Sequence, residues 1–450
     1  MKKIAILGGG ESGCGAALLG KKLGYSVFLS DKGKIGEEYR KILEEKDIRF
    51  EEGGHSLSVI STFDIIVKSP GIPDTVPIVR ELRNAGKEIV SEIEFAGRHS
   101  DAVMCCITGS NGKTTTTLLL YHILKTAGMD VGLAGNVGSS LAAQVAGNAH
   151  RIYVVELSSF QLDDMYDFKA DVAIITNITP DHLDRYDYEL SKYADAKMRI
   201  VRNMEEEDLV IYGKDSPLLN ERISNTEVVP RKASFTAEAA SLLIPDSGAF
   251  IRDGLLVAGF EGREFKIRTE EIGIKGRHNM YNAMAAVLAA LKLEVEDKTI
   301  AEALRTFPGV EHRMEVVTET SGVLYINDSK ATNIDAARYA LETMSRPVIW
   351  IVGGTDKGND YSVLNDLVRS KVRRIVAMGA DNTKILKAFR NICPVEDTHS
   401  LEEAVKSILR ESSPGDAVLL SPCCASFDLF ENYEDRGRKF KEAVLNAIKD

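Results

Sequence analysis

The sequence predicts an α/β protein of three blocks, each a mostly parallel sheet with helices packed on it. Three observations carry this reading. Short apolar runs alternate with longer amphipathic stretches from end to end, the pattern of strands joined by crossover helices. Two glycine-rich turns stand directly after apolar runs and directly before helical stretches. The length of 450 residues leaves room for several cores, since a domain takes about 150 residues.

In the first block, 1–93, a strand at 3–7 leads through a glycine-rich turn into a helix ending near residue 23, followed by strands at 27–30 and 64–68. The block closes before a helical stretch at 94–99. The second block, 94–297, opens with a β-branched strand at 103–108 and a helix from about 113 to 127. Further strands read at 152–156, 171–176 and 209–212, and 230–271 reads as a small accessory sheet of short strands and turns. Residues 278–291 place Ala, Leu and Met at helical spacing, a face suited to the core. The third block, 298–450, alternates helices with strands at 323–327, 348–352, 374–378 and 417–420.

Composition narrows the function. Lys plus Arg number 56 against 67 Asp plus Glu, a net charge of −11, which argues against a sequence-blind nucleic-acid coat. The six cysteines, at 14, 105, 106, 393, 423 and 424, include no C-x-x-C pair and read as reduced thiols. The apolar run after Met1-Lys2-Lys3 is too short for a signal-peptide core, and no run reaches the roughly 18 apolar residues of a membrane span. The expectation is a cytoplasmic protein with neither a nucleic-acid partner nor membrane insertion.

The motifs sharpen this. Gly8-Gly9-Gly10-Glu11-Ser12-Gly13 matches G-x-G-x-x-G between strand and helix, with Asp31 about 20 residues on. Such a turn suits NAD(P) or any other diphosphate, because glycines admit the ligand to backbone N–H groups at a helix N-terminus. On this turn alone a dehydrogenase stays open. Thr108-Gly109-Ser110-Asn111-Gly112-Lys113-Thr114-Thr115 departs from the strict phosphate loop, since Ile107 stands where its first glycine belongs. What remains is a strand, a glycine-bracketed turn, a lysine for β/γ-phosphates and a hydroxyl for Mg²⁺ at a helix start. Phosphate chemistry therefore leads. Glu156, in Val155-Glu156-Leu157-Ser158-Ser159, and His182, in Thr179-Pro180-Asp181-His182-Leu183, follow strands of the same block and are candidate ligands for a hard cation. In the third block, Asn327-Asp328-Ser329-Lys330-Ala331-Thr332-Asn333, Gly353-Gly354-Thr355-Asp356-Lys357-Gly358 and Ser421-Pro422-Cys423-Cys424-Ala425-Ser426 also follow strands. Their cations and hydroxyls should gather on one sheet edge, where they could clamp an anionic substrate.

In this order the motifs resemble the bacterial Mur ligases over essentially the whole chain. The markers include Ser69-Pro70-Gly71-Ile72, Gly135-Asn136, Glu156-Leu157-Ser158-Ser159-Phe160-Gln161, Asp181-His182-Leu183-Asp184, Ala196-Lys197, Gly276-Arg277-His278-Asn279 and His312-Arg313. The resemblance implies three domains: a Rossmann-like UDP-precursor domain, a central phosphate-loop ATPase-type domain and a Rossmann-like C-terminal domain. It implies the family branch that adds D-glutamate to UDP-N-acetylmuramoyl-L-alanine, acting as a monomer with ATP and two Mg²⁺ ions through an acyl phosphate.

By position, the resemblance puts Glu11, Ser12, Asp31, Ser69 and Gly71 near the UDP moiety. Gly109, Ser110, Asn111, Gly112, Lys113, Thr114 and Thr115 would hold ATP phosphates, with Asn279, Arg313 and Asp328 on the nucleotide. Thr114, Glu156 and His182 would surround magnesium, joined by Lys197 as a carbamate. Asn136 and Ser158 would touch the muramoyl-alanine end, and Lys330, Thr332, Lys357, Ser426 and Tyr433 the D-glutamate. Gly33 stands where relatives often carry Arg, and Tyr433 where Phe is expected. The Asp-Asn-Pro-Arg signature of the diaminopimelate- or lysine-adding relatives is absent. Rival expectations are a sister ligase, either the L-alanine-adding Mur enzyme or a folylpolyglutamate-type synthetase, and a catalytically silent nucleotide-sugar binding or regulatory protein.

Overall fold

The computed structural model describes residues 2–225, 229–237, 247–356 and 358–448. They fold into three sheets distributed over two compact units, Met1–Lys275 with Asn279–Phe307 and Gly276–His278 with Pro308–Asp450.

The first unit holds two sheets. In the first, β1 (Lys3–Leu7), β2 (Ser26–Ser30), β3 (Arg49–Glu51), β4 (Ile65–Lys68) and β5 (Glu88–Ser91) stand in the order β3-β2-β1-β4-β5. All four pairings are parallel. The chain leaves β1 toward β2 on one side and returns to β4 on the other, so the order reverses between β1 and β4. That crevice is where an open parallel sheet receives a ligand, and Gly8 and Ser69 border it directly after the two strands.

The second sheet comprises β6 (Val103–Thr108), β7 (Val131–Gly135), β8 (Ile152–Glu156), β9 (Val172–Ile175), β10 (Leu209–Gly213), β11 (Arg231–Thr236), β12 (Ser247–Arg252), β13 (Leu255–Phe260) and β14 (Arg263–Arg268). Their order is β14-β13-β12-β11-β10-β9-β6-β8-β7. β6 therefore lies between β8 and β9, which brings the loops after these three strands together. The accessory strands expected at 230–271 do not form a separate sheet. They extend this one, with β12, β13 and β14 paired antiparallel. Along β14, buried Phe265 and Ile267 alternate with exposed Glu264, Lys266 and Arg268, the period of a half-buried strand. One apolar cluster joins the two sheets of this unit, from Ile4 and Leu29 through Phe95 and Leu141 to Val155 and Ile175.

The second unit is built on β15 (Glu315–Thr320), β16 (Val323–Asn327), β17 (Val348–Gly353), β18 (Val372–Met378), β19 (Val395–Thr398) and β20 (Ala417–Cys423). The order is β15-β16-β20-β17-β18-β19, antiparallel only at β15. β17 is apolar along its length because both faces are covered. Val348, Trp350 and Val352 pack on one side, and Ile349 and Ile351 on the other.

Candidate functional site

The phosphate loop follows β6. Gly109 (φ +140°) and Gly112 (φ +88°) have backbones that suit glycine alone, and their surroundings reinforce the requirement. A Cβ on Gly109 would stand 1.9 Å from Thr176 Oγ1, and one on Gly112 would stand 2.4 Å from Asn282 Oδ1. Gly112 caps the helix Lys113–Thr126, so the loop runs into the N–H groups of a first helical turn and the positive end of a helix dipole. Thr114 and Thr115 lie buried in its first turn.

The residues after β9 hold this loop in shape. Thr176 Oγ1 and Asn177 Nδ2 donate to the Asn111 carbonyl (2.6 and 2.9 Å), and Asn177 Oδ1 accepts the Asn111 N–H (3.0 Å). Ser110 Oγ donates to the Thr179 carbonyl (2.8 Å). Sequence reasoning missed Thr176 and Asn177. The available signal was their place at the end of a strand that could neighbour the loop's own.

Two ammonium groups converge on one carbonyl. Lys113 Nζ donates to the carbonyls of Gly109 (2.9 Å) and Ser110 (3.0 Å), and Lys197 Nζ donates to that of Gly109 (2.7 Å). Lys197 is 1 % exposed, with its ammonium 4.5 Å from the centre of the Tyr193 ring. Burial, and then the charge of Lys113, push its pKa well below the usual lysine value despite Asp181, Glu156 and Asp163. A buried lysine with a depressed pKa has access to its neutral, nucleophilic form.

Glu156 ends β8 and is 1 % exposed. Its Oε1 accepts from Asn136 Nδ2 (2.8 Å), whereas its Oε2 is buried without a hydrogen-bond partner. A buried, unpartnered carboxylate oxygen is costly, and a hard cation is the partner that oxygen chemistry favours. The fit of a divalent ion here rests on that oxygen and on the Thr114 hydroxyl at the helix start. His182 (φ +50°) opens the turn Leu183–Arg185 and packs edge-on against Phe160, 5.2 Å between ring centres. Ser158, expected at the acceptor end, caps the helix Ser159–Asp163 in a reciprocal capping box with Gln161.

At the first sheet's crevice, Asp31 bridges two turns, accepting N–H from Gly9 (2.5 Å) and Gly33 (2.7 Å). Gly33 thus belongs to a turn closed on the Asp31 carboxylate. Gly8 (φ +100°) passes so close to Ser69 that a Cβ would stand 2.5 Å from its Oγ. Ser12 is half-buried in the first turn of the helix Glu11–Lys22, and Gly71 is exposed. Glu11 is exposed too, and its Oε1 accepts the N–H of Ser140 (3.0 Å).

In the second unit the loops after β16, β17 and β20 meet, as expected. Asp328, 4 % exposed, accepts from Ser421 Oγ (2.8 Å) and the Met314 N–H (3.1 Å), and burial pushes its pKa up to about 7. Lys330 Nζ lies 5.2 Å from the centre of the Tyr433 ring. Ser426 is buried and Thr332 half-buried. Arg436, missed in the sequence, is 1 % exposed and bonds Ser329 Oγ, the Ser329 carbonyl and the Cys424 carbonyl (2.9, 2.9 and 3.2 Å). It ties the 327–333 loop to the 421–426 loop, but a lone Arg inside a helix carries no motif to reveal it. Asp356 accepts from Tyr361 Oη (2.9 Å) and pairs with Lys384. Lys357 lies outside the described residues. Asn279 is buried in the first unit, its Nδ2 donating to the Lys275 carbonyl (2.8 Å), and Arg313 belongs to the second.

Comparison with known proteins gives the chain a lineage. Family models match in succession: the MurD N-terminal domain over residues 3–76, the Mur ligase middle domain over 107–290, and the Mur ligase glutamate ligase domain over 312–424. A UDP-N-acetylmuramoylalanine–D-glutamate ligase of Christiangramia forsetii is 50% identical over 446 residues, 99% of each chain. The protein of that name from Porphyromonas gingivalis is 52% identical over 445 residues, 98% of each chain. Among solved structures, a pseudomurein peptide ligase type C from Methanothermus fervidus gives a TM-score of 0.64 at 21% identity, with 100% of both chains covered. The UDP-N-acetylmuramate–alanine ligase of Thermotoga maritima gives 0.60 at 19% identity, covering 99% of this chain and 100% of its own. These last two are likenesses of fold. The full-length relatives, half identical to it, settle the lineage, and the chain belongs to the Mur ligase family.

Proposed function

We propose that this chain joins D-glutamate to UDP-N-acetylmuramoyl-L-alanine, cleaving ATP to ADP and phosphate, in the cytoplasmic synthesis of peptidoglycan precursor. One observation supports the reading most: two lysine ammoniums and a carboxylate with an unpartnered oxygen gather at a phosphate loop. Such a site handles polyanions rather than hydride. The alanine carboxylate of the precursor attacks the γ-phosphorus of ATP, forming an acyl phosphate as the bond to the ADP oxygen breaks. The amine of D-glutamate then adds to the acyl carbon, and phosphate leaves as the amide forms.

Within this reading the loop N–H groups and Lys113 hold the ATP phosphates, with Lys113 exchanging its carbonyl bonds for phosphate oxygens. Thr114, Glu156 and His182 would hold Mg²⁺, which when bound screens the charge of two anions brought together. Lys197 completes the set as a carbamate: its neutral amine nitrogen bonds the carbon of CO₂ and a proton passes to water, turning a buried cation into an anionic oxygen ligand. The depressed pKa and the absence of a carboxylate within ion-pair distance among the described residues support this. The domain limits read from the sequence, 93/94 and 297/298, fall inside the helices Glu92–Gly97 and Asp297–Thr306, and the first compact unit runs on to Phe307. Glu11, Ser12, Asp31, Ser69 and Gly71 take the UDP end at the crevice of the first sheet, and Asn136 and Ser158 the muramoyl-alanine end. Asn279, Arg313 and Asp328 serve the nucleotide, and Lys330, Thr332, Ser426 and Tyr433 the D-glutamate.

Phosphate release tests the reading, with ATP, Mg²⁺ and UDP-N-acetylmuramoyl-L-alanine and a choice of D-glutamate, L-glutamate, L-alanine, lysine or no amino acid. Release should require both the precursor and D-glutamate. Release with another amino acid moves the specificity, and silence throughout overturns the ligase reading.

A further inference from the structure

Glu92 is a carboxylate buried at 3 % exposure in the first unit, away from the phosphate loop, and no step of the ligation uses it. It opens the helix Glu92–Gly97, and its Oε1 accepts both the Ser140 hydroxyl (2.7 Å) and the Ala142 N–H (2.6 Å). Burial pushes its pKa up to about 7. Helix capping explains only part of this arrangement: Glu92 Oε1 takes the Ala142 N–H of the first turn of the helix Leu141–Ala146, but its bond to the Ser140 hydroxyl serves no helix donor. Ser140 already caps the helix Leu141–Ala146 through its Oγ, which accepts the Ala143 N–H (3.1 Å), and a cap of that kind needs no buried acid.

Every polar group of Ser140 that can donate is therefore held by a carboxylate. Its hydroxyl goes to Glu92, and its N–H goes to Glu11 (3.0 Å), the residue directly after the Gly8–Gly10 turn. The approach is close, since a Cβ on Gly15 would stand 2.0 Å from Ser140 Oγ. Ser140 also ends the loop that leaves β7. Gly135 (φ +98°) fits against the Glu156 carbonyl, which a Cβ would approach to 2.2 Å, and Ser139 bridges back to Ala134. Between them Asn136 donates to Glu156 Oε1 (2.8 Å), and Glu156 Oε2 is the oxygen without a partner.

We propose that Ser140, held by Glu11 and Glu92, is a positioning residue for the ligation: it fixes the 136–139 loop so that Asn136 keeps one oxygen of Glu156 and leaves the other for a cation. The inference rests on the proposed role of Glu156 as a cation ligand. Because Glu11 adjoins the turn at the first sheet's crevice and holds the Ser140 N–H, a ligand there that shifts this contact should change the cation affinity at Glu156, and by linkage the cation should change that ligand's affinity by the same factor.

The test compares full-length wild type with Ser140→Ala, Glu92→Ala, the double variant and Glu92→Gln. Two readouts are used: steady-state kinetics, and the affinity for Mn²⁺ added alone, followed by the loss of the free-ion paramagnetic signal. Ser140→Ala should lower kcat about tenfold and weaken Mn²⁺ binding and half-activation by Mg²⁺ about tenfold, with KM for D-glutamate within about twofold. The double variant should be no worse than the poorer single one, because both remove the same hydrogen bond. Glu92→Gln keeps an acceptor oxygen and should recover to within about threefold of wild type. Should Glu92→Ala fail to fold, Ser140→Ala against Glu92→Gln still decides the matter. Equal Mn²⁺ affinity in wild type and Ser140→Ala, or defects that simply add, overturns the proposal. A wild type without turnover would instead overturn the ligase reading, and the Mn²⁺ comparison would still judge Ser140.

Discussion

The two glycine-rich turns of the first unit look alike in sequence and differ in what surrounds them. At the first, the Asp31 carboxylate already accepts the Gly9 N–H at 2.5 Å, and the turn itself contains no cation. At the second, Lys113 and Lys197 point their ammoniums at the same Gly109 carbonyl, close enough to Glu156 for its charge to act on Lys197. Like charges brought together in a buried place favour the arrival of negative charge. Glycine content reports that a backbone can approach a phosphate. The buried charges report whether anything is done to it.

Four substitutions sharpen the contrast. The largest effect is expected from Lys113→Ala: kcat should fall by roughly 10²–10³, while calorimetric affinity for the UDP-precursor stays near wild type. Joint loss of precursor binding would break the division of labour between the turns. Lys197→Ala should cost about a hundredfold in kcat. Acetate or formate should restore part of it by filling the anionic position, and no rescue by either removes the support for a carbamate.

Gly109→Ala forces a side chain into a left-handed backbone and against Thr176, and should destabilise by roughly 2–4 kcal/mol, read as a lowered Tm. At the first turn, Asp31→Ala should raise KM for the precursor about tenfold with kcat little changed, the mark of lost uniform binding. A fall in kcat without a change in KM would show that the two turns share more chemistry than their charges indicate.

The smallest effect concerns stability against pH. Glu92 is raised to about 7 by burial and, less strongly, by Glu11 on the neighbouring helix, while the bonds from Ala142 and Ser140 oppose the shift. The adjoining helix Leu141–Ala146 contributes no charged side chain. A carboxyl raised in the folded state binds its proton more tightly there than in the unfolded chain. Its contribution to stability is therefore full below the usual glutamate range and is lost as pH rises toward 7. Glu92→Gln should melt above wild type at pH 8, with the gap narrowing as pH falls and closing only below about pH 4.5, the ordinary glutamate range.

Much of this was readable beforehand, for physical reasons. Strands such as Val103–Thr108 and Val348–Gly353 are buried on both faces and announce themselves as apolar runs. Arg49–Glu51 has three residues and no buried one, and Val395–Thr398 has a single buried position, so neither carries a period to detect. Val131–Gly135 carries no readable apolar run either, because Gly132 and Gly135 interrupt it. Lys113 and Glu156 could be placed from local pattern. Lys197 could not: on a helix with four buried residues of nine it reads as an ordinary surface lysine until the fold brings Gly109 to it. Ser140, Glu92 and Glu11 are further out of reach, because their meeting joins residues from three distant stretches of chain.

The outer strand of the second sheet has a consequence for how crowded molecules behave. Among the described residues β14 pairs with β13 alone, so it is an edge strand, the place where a foreign strand could add. Glu264, Lys266 and Arg268 line its exposed side. A second molecule docking there would have to strip water from charges of both signs without supplying their partners. The edge thereby discourages fibril-like stacking, and replacing Lys266 with an apolar β-branched residue would remove that protection at the strand's centre.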